Sequence, residues 1–453
     1  MLFTRDLRVR DHAALTAAAA LADCVVPLFV FDEDLQRVGF VRPNRARFLL
    51  EALADLDRSL AMRGGRLVLR RGNVAAEVSA VVRAAGAQAV FVSADVSAHA
   101  ARRQRRLAAA CAESGAELRL FPGVTVVPAG AIAPARGDHF RVFTPYWQRW
   151  RGLPLPRAVR PPSRLAVPRG IAGIDPPALR DLVDGAASPD LPRGGESAGR
   201  ARLDAWMRTG LRRYPAHRDD LTTDGTSRLG PYLHFGCLSP AEVARRCAAR
   251  PGDEAARPGG DAFLRQLCWR DFHHQVTVAF PEIARREYRS RRDRWRHDEE
   301  LLAAWKDGRT GYPLVDAGMR QLRREGWMPN RARLVTASFL VKDLYLDWRL
   351  GAAHFIDLLV DGDLANNSGN WQWVAGTGND TRPNRVFNPV RQAERFDPDG
   401  EYVRRWVPEL VALPGARVHQ PWRADPELRR RFDYPAPVAN HDEAARAFRV
   451  RRG

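Results

Sequence analysis

The sequence predicts an α/β amino-terminal domain on a doubly wound parallel sheet, joined by a long linker to a larger all-α carboxy-terminal domain. Three observations predict it. Up to residue 125, short apolar runs alternate with helical patterns, as stacked βα units require. Residues 126–198 are rich in Pro, Gly and Arg (LPLPRAVRPPSR, GAASPDLPRGGESAG), a linker composition. From 199 to 453 the apolar spacing is helical.

Along the α/β domain, 1–125, the strand candidates come in order. Only Leu2 and Phe3 precede Thr4-Arg5-Asp6, so the first strand looks clipped and a start upstream of Met1 is expected. CVVPLFVFD (24–32), RLVLRR (66–71), AVFVSAD (89–95) and ELRLFPG (117–123) are branched-rich runs ending in turns. Between them Leu49, Leu53, Leu56 and Leu60 recur at helical spacing until Gly64-Gly65 stops the helix. Neither a GxGxxG fingerprint nor a GxxxxGK[ST] loop is present, so neither a Rossmann dinucleotide site nor a phosphate-loop site is indicated. In the helical domain, Pro313 opens TGYPLVDAGMRQLRREG, with Leu314, Val315, Gly318, Met319 and Leu322 on one stripe. ARLVTASFLVKDLYLDWRL continues in the same style.

Composition narrows the classes. A chain of 453 residues, 45% hydrophobic, has room for two domains. No apolar run approaches the roughly 20 residues of a membrane span, and MLFTRDLRVRDH has no signal-peptide core, so a cytoplasmic protein is expected. Its five cysteines (Cys24, Cys111, Cys237, Cys247, Cys268) form no CxxC pair, so no zinc site or disulfide framework is indicated and no metal is expected. Net charge +19 suits a polyanionic partner such as nucleic acid.

The chemistry concentrates in DGDLANNSGNWQW, Asp361 to Trp373. On a helix Trp371 and Trp373 are separated by about 200°, so they face opposite sides. WRDFHH (269–274) adds a tryptophan beside an arginine. TSRLG (226–230) offers hydroxyls and backbone donors that could hold phosphate at a helix start. NRARLVTASF (330–339) adds Asn330, Arg331 and Arg333, and a buried Arg333 would require Asp361 or Asp363 as counter-ion. Together these read as a polar-lined pocket for a large cofactor with phosphates and a conjugated ring.

With these residues in view, the chain resembles the photolyase/cryptochrome flavoprotein family, most closely its microbial class I cyclobutane-dimer photolyases. The resemblance runs from FTRDLRVRDHAAL to FDPDGEYVRRWVPEL and is densest in TGYPLVDAGMRQL, GWMPNR, ASFLVKDLYLDWR and DGDLANNSGNWQW. It implies FAD, folded back, inside the helical domain. Tyr214 and the run Thr226, Ser227, Arg228, Leu229 and Gly230 match contacts to the phosphates and ribityl chain. Asp361, Gly362 and Asp363 match the motif against the isoalloxazine and adenine, with Arg333 paired to the first aspartate. Asn367 matches the asparagine near the flavin's reactive nitrogen. Trp371, Trp348 and Trp295 match an electron relay to the surface. Trp269 and Trp373 match aromatics that receive a flipped-out pyrimidine dimer in UV-damaged DNA. Arg218, Arg331, Arg385 and Gln392 match phosphate- or lesion-side contacts, with Asn330 beside them.

The resemblance also has departures. Gln266 stands where dimer-repairing members usually have a glutamate, and Leu334 where they have a methionine, so weaker repair is expected. Glutamine keeps a donor and an acceptor but loses the ionisable proton. Pro329 replaces a usual histidine. Asn330 and Leu334 occupy the positions of two histidines needed for (6-4) photoproduct repair, so that specificity is not expected. Arg45 and Asp95 match positions that hold an 8-hydroxy-5-deazaflavin antenna in some relatives, and His234 stands where those have a lysine. The alternative for Arg45 is a solvated helix-terminus arginine. The expected protein is therefore a monomeric, light-driven DNA lyase. A cryptochrome-like photoreceptor is the rival reading, and an NAD(P)H-dependent flavin oxidoreductase is disfavoured by the missing fingerprint.

Overall fold

A computed structural model describes residues 1–248 and 254–452. The α/β half comprises β1 (Leu2–Phe3), α1 (Ala13–Leu21), β2 (Leu28–Asp32), α2 (Glu33–Arg37), α3 (Pro43–Ala61), β3 (Val68–Gly72), α4 (Val74–Ala85), β4 (Ala89–Ser93), α5 (Ala98–Glu113) and β5 (Glu117–Phe121). The five strands pair in parallel in the order β3-β2-β1-β4-β5. The sequence-based strands and the doubly wound topology are thus all found. Alternation along β2 explains the two covered faces: Leu28 and Val30 pack with the valines of α4, whereas Phe29 and Phe31 join the core that includes α1 and α3. Asn73 caps α4, its Oδ1 accepting from Ala75 N and Ala76 N, and Ser97 caps α5.

The segment 126–198 is more than a surface strap. It contains α6 (Phe143–Arg151), and its start is pinned from beneath. The amides of Val126 and Val127 donate to the Asp271 carboxylate (3.1 and 2.9 Å to Oδ2), as does Trp150 Nε1 at 2.9 Å. The helical body then comprises α7 (Glu196–His217), α8 (Gly230–His234), α9 (Pro240–Ala248), α10 (Arg257–Ala279), α11 (Glu299–Asp307), α12 (Pro313–Glu325) and α13 (Asn330–Ser338). It continues with α14 (Trp348–Leu358), α15 (Leu364–Ala375), α16 (Pro389–Phe396), α17 (Glu401–Trp406), α18 (Pro426–Arg429) and α19 (His441–Arg452). One apolar core is continuous from the inner face of the sheet through α3 into α7 and α10, so the two halves share it.

Pro313 starts α12 and Gly326, at φ 62°, ends it; the expected stripe is buried throughout. The helical pattern over ARLVTASFLVKDLYLDWRL is interrupted. After Ser338 the chain makes a π-turn over Phe339–Asp343, Tyr345 takes φ 54°, and Asp347 caps α14 by accepting from Arg349 N at 2.9 Å. The apolar residues of the break are buried all the same, which is why the hydrophobic pattern did not reveal it. Among the described residues no helix is long and apolar enough to cross a membrane.

Candidate active site

A cavity of about 1070 Å³ opens between the helical body and linker residues Trp147, Trp150, Arg151, Leu153 and Leu155. Three helices each contribute one stripe to it. From α10 come Gln266, Trp269 and His273, from α13 Asn330, Arg331 and Leu334, and from α15 Asn366, Asn370 and Trp373. In each case the spacing of three or four residues puts the side chains on one face. Tyr214 and Arg218, at the end of α7, and Thr226 complete the lining among the sequence-predicted residues. Burial pushes the Tyr214 phenol up to about 12 and the His273 imidazole down to about 4, so both are neutral at pH 7. Thr226 Oγ1, His273 Nδ1 and Arg331 Nε are buried without hydrogen-bond partners. Orphaned polar atoms around a space of this size fit a large polar ligand.

Trp371 and Trp373 do face opposite ways. Trp373 lines the cavity. Trp371 is 2% exposed and packs edge-on against Phe355 (4.9 Å) and Trp305 (6.1 Å). Helix α14 passes so close that a Cβ at Gly351 would lie 2.2 Å from the Trp371 ring. Trp348 is fully buried at the start of α14 with the Arg349 guanidinium 4.8 Å from its ring centroid. Trp295 is half-buried, 5.0 Å from the Tyr345 ring. Trp371 and Trp348 are thus core residues, and Trp295 lies at the boundary. Trp305, whose Nε1 donates to Thr336 O at 2.9 Å, touches Trp371 and was missed, because a lone tryptophan in an amphipathic helix carries no distinguishing signal.

The anticipated ion pair is present. Arg333 Nη2 reaches both oxygens of Asp361, at 3.1 and 2.9 Å. Gly230 packs directly on this carboxylate, since a Cβ there would lie 2.4 Å from Asp361 Oδ2. Asp363 caps α15, its Oδ1 accepting from Asn366 N (2.9 Å) and Asn366 Nδ2 (2.7 Å). Its Oδ2 meets Arg5 Nη2 at 2.5 Å. Burial opposes ionisation of Asp363, but His274, Arg5, Arg270 and His234 outweigh it and hold the carboxyl well below the usual range. Gly362, between the two aspartates, lies against Arg45 Nη1.

Other sequence-predicted residues are placed differently from one another. Asn367 turns to α14, its Nδ2 donating to Ala352 O at 3.0 Å, while Asn366 and Asn370 line the cavity. The i, i+4, i+7 series 366, 370, 373 could have been read from the sequence. Of the 226–230 run, Thr226 alone lines the cavity. Ser227 Oγ accepts from Leu229 N, and the Leu229 side chain is core. The Arg228 guanidinium is turned away, paired with Asp224 (2.8 Å) and Glu325 (3.1 Å) over the Trp327 ring. Arg331 joins Asp219 (3.0 Å) and Gln392 Oε1 (3.3 Å). Arg385 stands 5.6 Å from the Trp373 ring centroid.

The suggested antenna residues are engaged within the chain. Arg45 is 4% exposed rather than solvated, and donates to the carbonyls of Phe40, Ile356 and Leu359. Asp95 pairs with Arg5 at 3.3 Å, and His234 O accepts from Arg5 Nε at 3.1 Å. None of the three lines the cavity of about 290 Å³ in the α/β half, which is bounded by Asp32, Asn73, His99, Arg102, Arg103 and Arg106. The physical reason is domain packing: these side chains close the seam between the halves.

An α/β domain docked on a helical body that encloses a cavity of indoles, amides and guanidiniums defines a cofactor-binding protein with a cationic, aromatic site. Comparison with known proteins gives it a family. Residues 1–163 match the family described as DNA photolyase, and residues 263–452 match the FAD binding domain of DNA photolyase. The deoxyribodipyrimidine photo-lyase of Streptomyces griseus is 51% identical over 455 residues, covering 100% of this chain and 98% of that one. A Synechocystis cryptochrome structure superposes with TM-score 0.92 at 29% identity, over 99% of this chain and 98% of that chain. An archaeal photolyase from Sulfolobus tokodaii, solved with two FAD molecules, superposes with TM-score 0.86 at 31% identity, over 99% and 98%. The chain belongs to the photolyase/cryptochrome family.

Proposed function

We propose that this protein is a light-dependent deoxyribodipyrimidine photo-lyase that splits cyclobutane pyrimidine dimers in UV-damaged DNA. One observation carries the reading: Trp269, Trp373, Gln266 and Leu334, from three helices, converge on one cavity. FAD is the cofactor this site fits, given the cavity's size and the partnerless Thr226 Oγ1 and His273 Nδ1. Tyr214, Thr226 and Asn366 line the cavity and would contact it, while the Arg333–Asp361 pair and the Asp363 cap, outside the lining, would anchor α13 and α15, which supply part of the wall. When bound and reduced, FAD supplies the photoexcited electron that opens the cyclobutane ring, and the electron returns, so no net redox change occurs.

The chain's own residues do the rest. Flat indole faces of Trp269 and Trp373 compensate a dimer for leaving the stack. Gln266 offers a donor and an acceptor to the damaged bases. Leu334 excludes water beside them. Arg218, Arg331 and Arg385 engage phosphates, which position the duplex without reading its sequence. Trp295, Trp348 and Trp371 would pass an electron inward from the boundary. An 8-hydroxy-5-deazaflavin antenna would need Arg45, Asp95 and His234 released from their present partners; the absorption spectrum of the purified protein decides it. The enzyme acts as a cytoplasmic monomer in this reading.

Photoreduced protein is incubated with a dimer-containing oligonucleotide under blue light. Restored thymines are expected. Intact dimers after long illumination, despite preferential binding of the damaged strand, would favour the second reading. That reading, a cryptochrome-like photoreceptor, is motivated by Gln266 and Leu334.

A further inference from the structure

The ring of Phe143, the first residue of α6, lies flat on the Trp269 indole, with centroids 3.7 Å apart and planes 4° from parallel. Phe143 is buried and is not among the residues lining the cavity, whereas Trp269 is. One indole face is therefore covered by a residue of the linker. Phe272 meets the indole edge-on at 5.6 Å and His273 lies tilted 5.8 Å from it, while Phe143 is itself held by Phe272 at 5.8 Å and by the Arg265 guanidinium 5.3 Å from its centroid. Helix α6 cannot easily roll, because its next two inward residues are also held on α10. Tyr146 packs on Phe272 at 5.6 Å, and Trp150 Nε1 donates to the buried Asp271. Residues 143, 146 and 150 form a single stripe, so the rotation of α6 and the plane of Trp269 are set together.

We infer that Phe143 is a positioning residue for lesion recognition. It locks the Trp269 indole in the one orientation that presents its remaining surface to the cavity. The inference rests on the repair reading. Its physical basis is preorganisation: an aromatic already fixed in its bound orientation loses no rotamer freedom when a base stacks on it. An aromatic pair of this geometry contributes enough to matter in binding, on the order of a three- to tenfold change in affinity.

The test compares Phe143→Tyr, which keeps the flat ring, with Phe143→Leu, which keeps apolar volume without it. Dissociation constants are measured in the dark for dimer-containing and undamaged oligonucleotides, with single-turnover repair at saturating protein. Phe143→Leu is expected to weaken dimer binding roughly three- to tenfold, leaving undamaged-DNA binding and saturated repair unchanged, with Phe143→Tyr close to the parent. Equal dimer affinity in the Leu and Tyr variants, or equal losses on both oligonucleotides, overturns the inference. A second readout needs no DNA. In 5-fluorotryptophan-labelled protein, with Trp269→Phe to assign the line, the Trp269 ¹⁹F resonance should move in Phe143→Leu and stay in Phe143→Tyr. An unmoved line in the Leu variant also overturns it. If the parent itself fails to prefer damaged DNA, the repair reading fails, while the fluorine line still decides whether Phe143 holds the indole.

Discussion

Arg5 Nη2 and Asp363 Oδ2 lie 2.5 Å apart, so the turn after β1 is tied to the first turn of α15. The same guanidinium reaches Asp95, beyond β4, at 3.3 Å. One side chain thus joins the C-terminal edge of the sheet to the acidic motif of the helical body. Both carboxylates are almost fully buried; loss of Arg5 would take the ion-pair partner of Asp95 and leave Asp363 with His274 at 3.7 Å.

Removing that cation should therefore cost stability. Arg5→Ala is expected to destabilise the protein by about 3 kcal/mol, the usual scale for stranding a buried charge. Chemical denaturation at pH 7 measures it. Arg5→Lys should recover part of the loss, since a point charge serves the ion pairs less well than a fork.

Acid sensitivity follows from Asp363. Its folded carboxyl titrates well below its unfolded one, so its contribution is fully present above about pH 4 and is lost as pH falls further toward the folded pKa. Thermal melts from pH 6 to pH 3 should show a steeper decline for the parent than for Asp363→Asn. Identical slopes would remove Asp363 from the explanation.

Gly351 gives a packing test. Gly351→Ala places a methyl 2.2 Å from the Trp371 ring and 2.5 Å from Leu340 Cδ2, so a loss of about 1–3 kcal/mol is expected. A melting temperature equal to the parent's would show that α14 and α15 can part without strain.

Trp371→Phe separates the relay from repair. The flavin should stay bound, its photoreduction by an external donor should fall at least about tenfold, and chemically reduced protein should repair at the parent rate. A tenfold change corresponds to about 1.4 kcal/mol at the barrier. Unchanged photoreduction would redirect the electron path, with Trp305 the next indole to test.

Substitution on the lesion and phosphate sides should behave differently. Gln266→Glu is expected to speed dimer splitting several-fold, on the scale of one charge-assisted hydrogen bond. Arg331→Ala should weaken damaged and undamaged DNA alike and reduce the salt dependence of binding by about 0.9 in log–log slope. Salt titrations of both oligonucleotides check the second expectation, and single-turnover rates the first.

Strands β2–β5, the α12 stripe and the opposed indoles of α15 were legible because burial imposes periods of 2 and 3.6 on the chain. The Arg333–Asp361 pair was legible because a guanidinium drawn even partly out of water favours an acid beside it; Arg333 is half-buried, with a quarter of its side chain exposed. The break at Phe339–Asp343 was not legible, since its residues are as buried as those of a helix. Nor could the sequence show that Arg228 leaves the cavity for Asp224 and Glu325, or that Arg45 caps carbonyls across the domain seam.

By itself, then, the sequence determined the two-part architecture, the acidic and aromatic motif, and which helix faces turn inward, because those follow from local spacing. Tertiary structure alone decided which stripes meet around one cavity, that Arg5 bridges the halves, and that a linker phenylalanine covers Trp269. These are contacts between residues up to some 358 positions apart, where packing chooses among partners that spacing leaves equivalent.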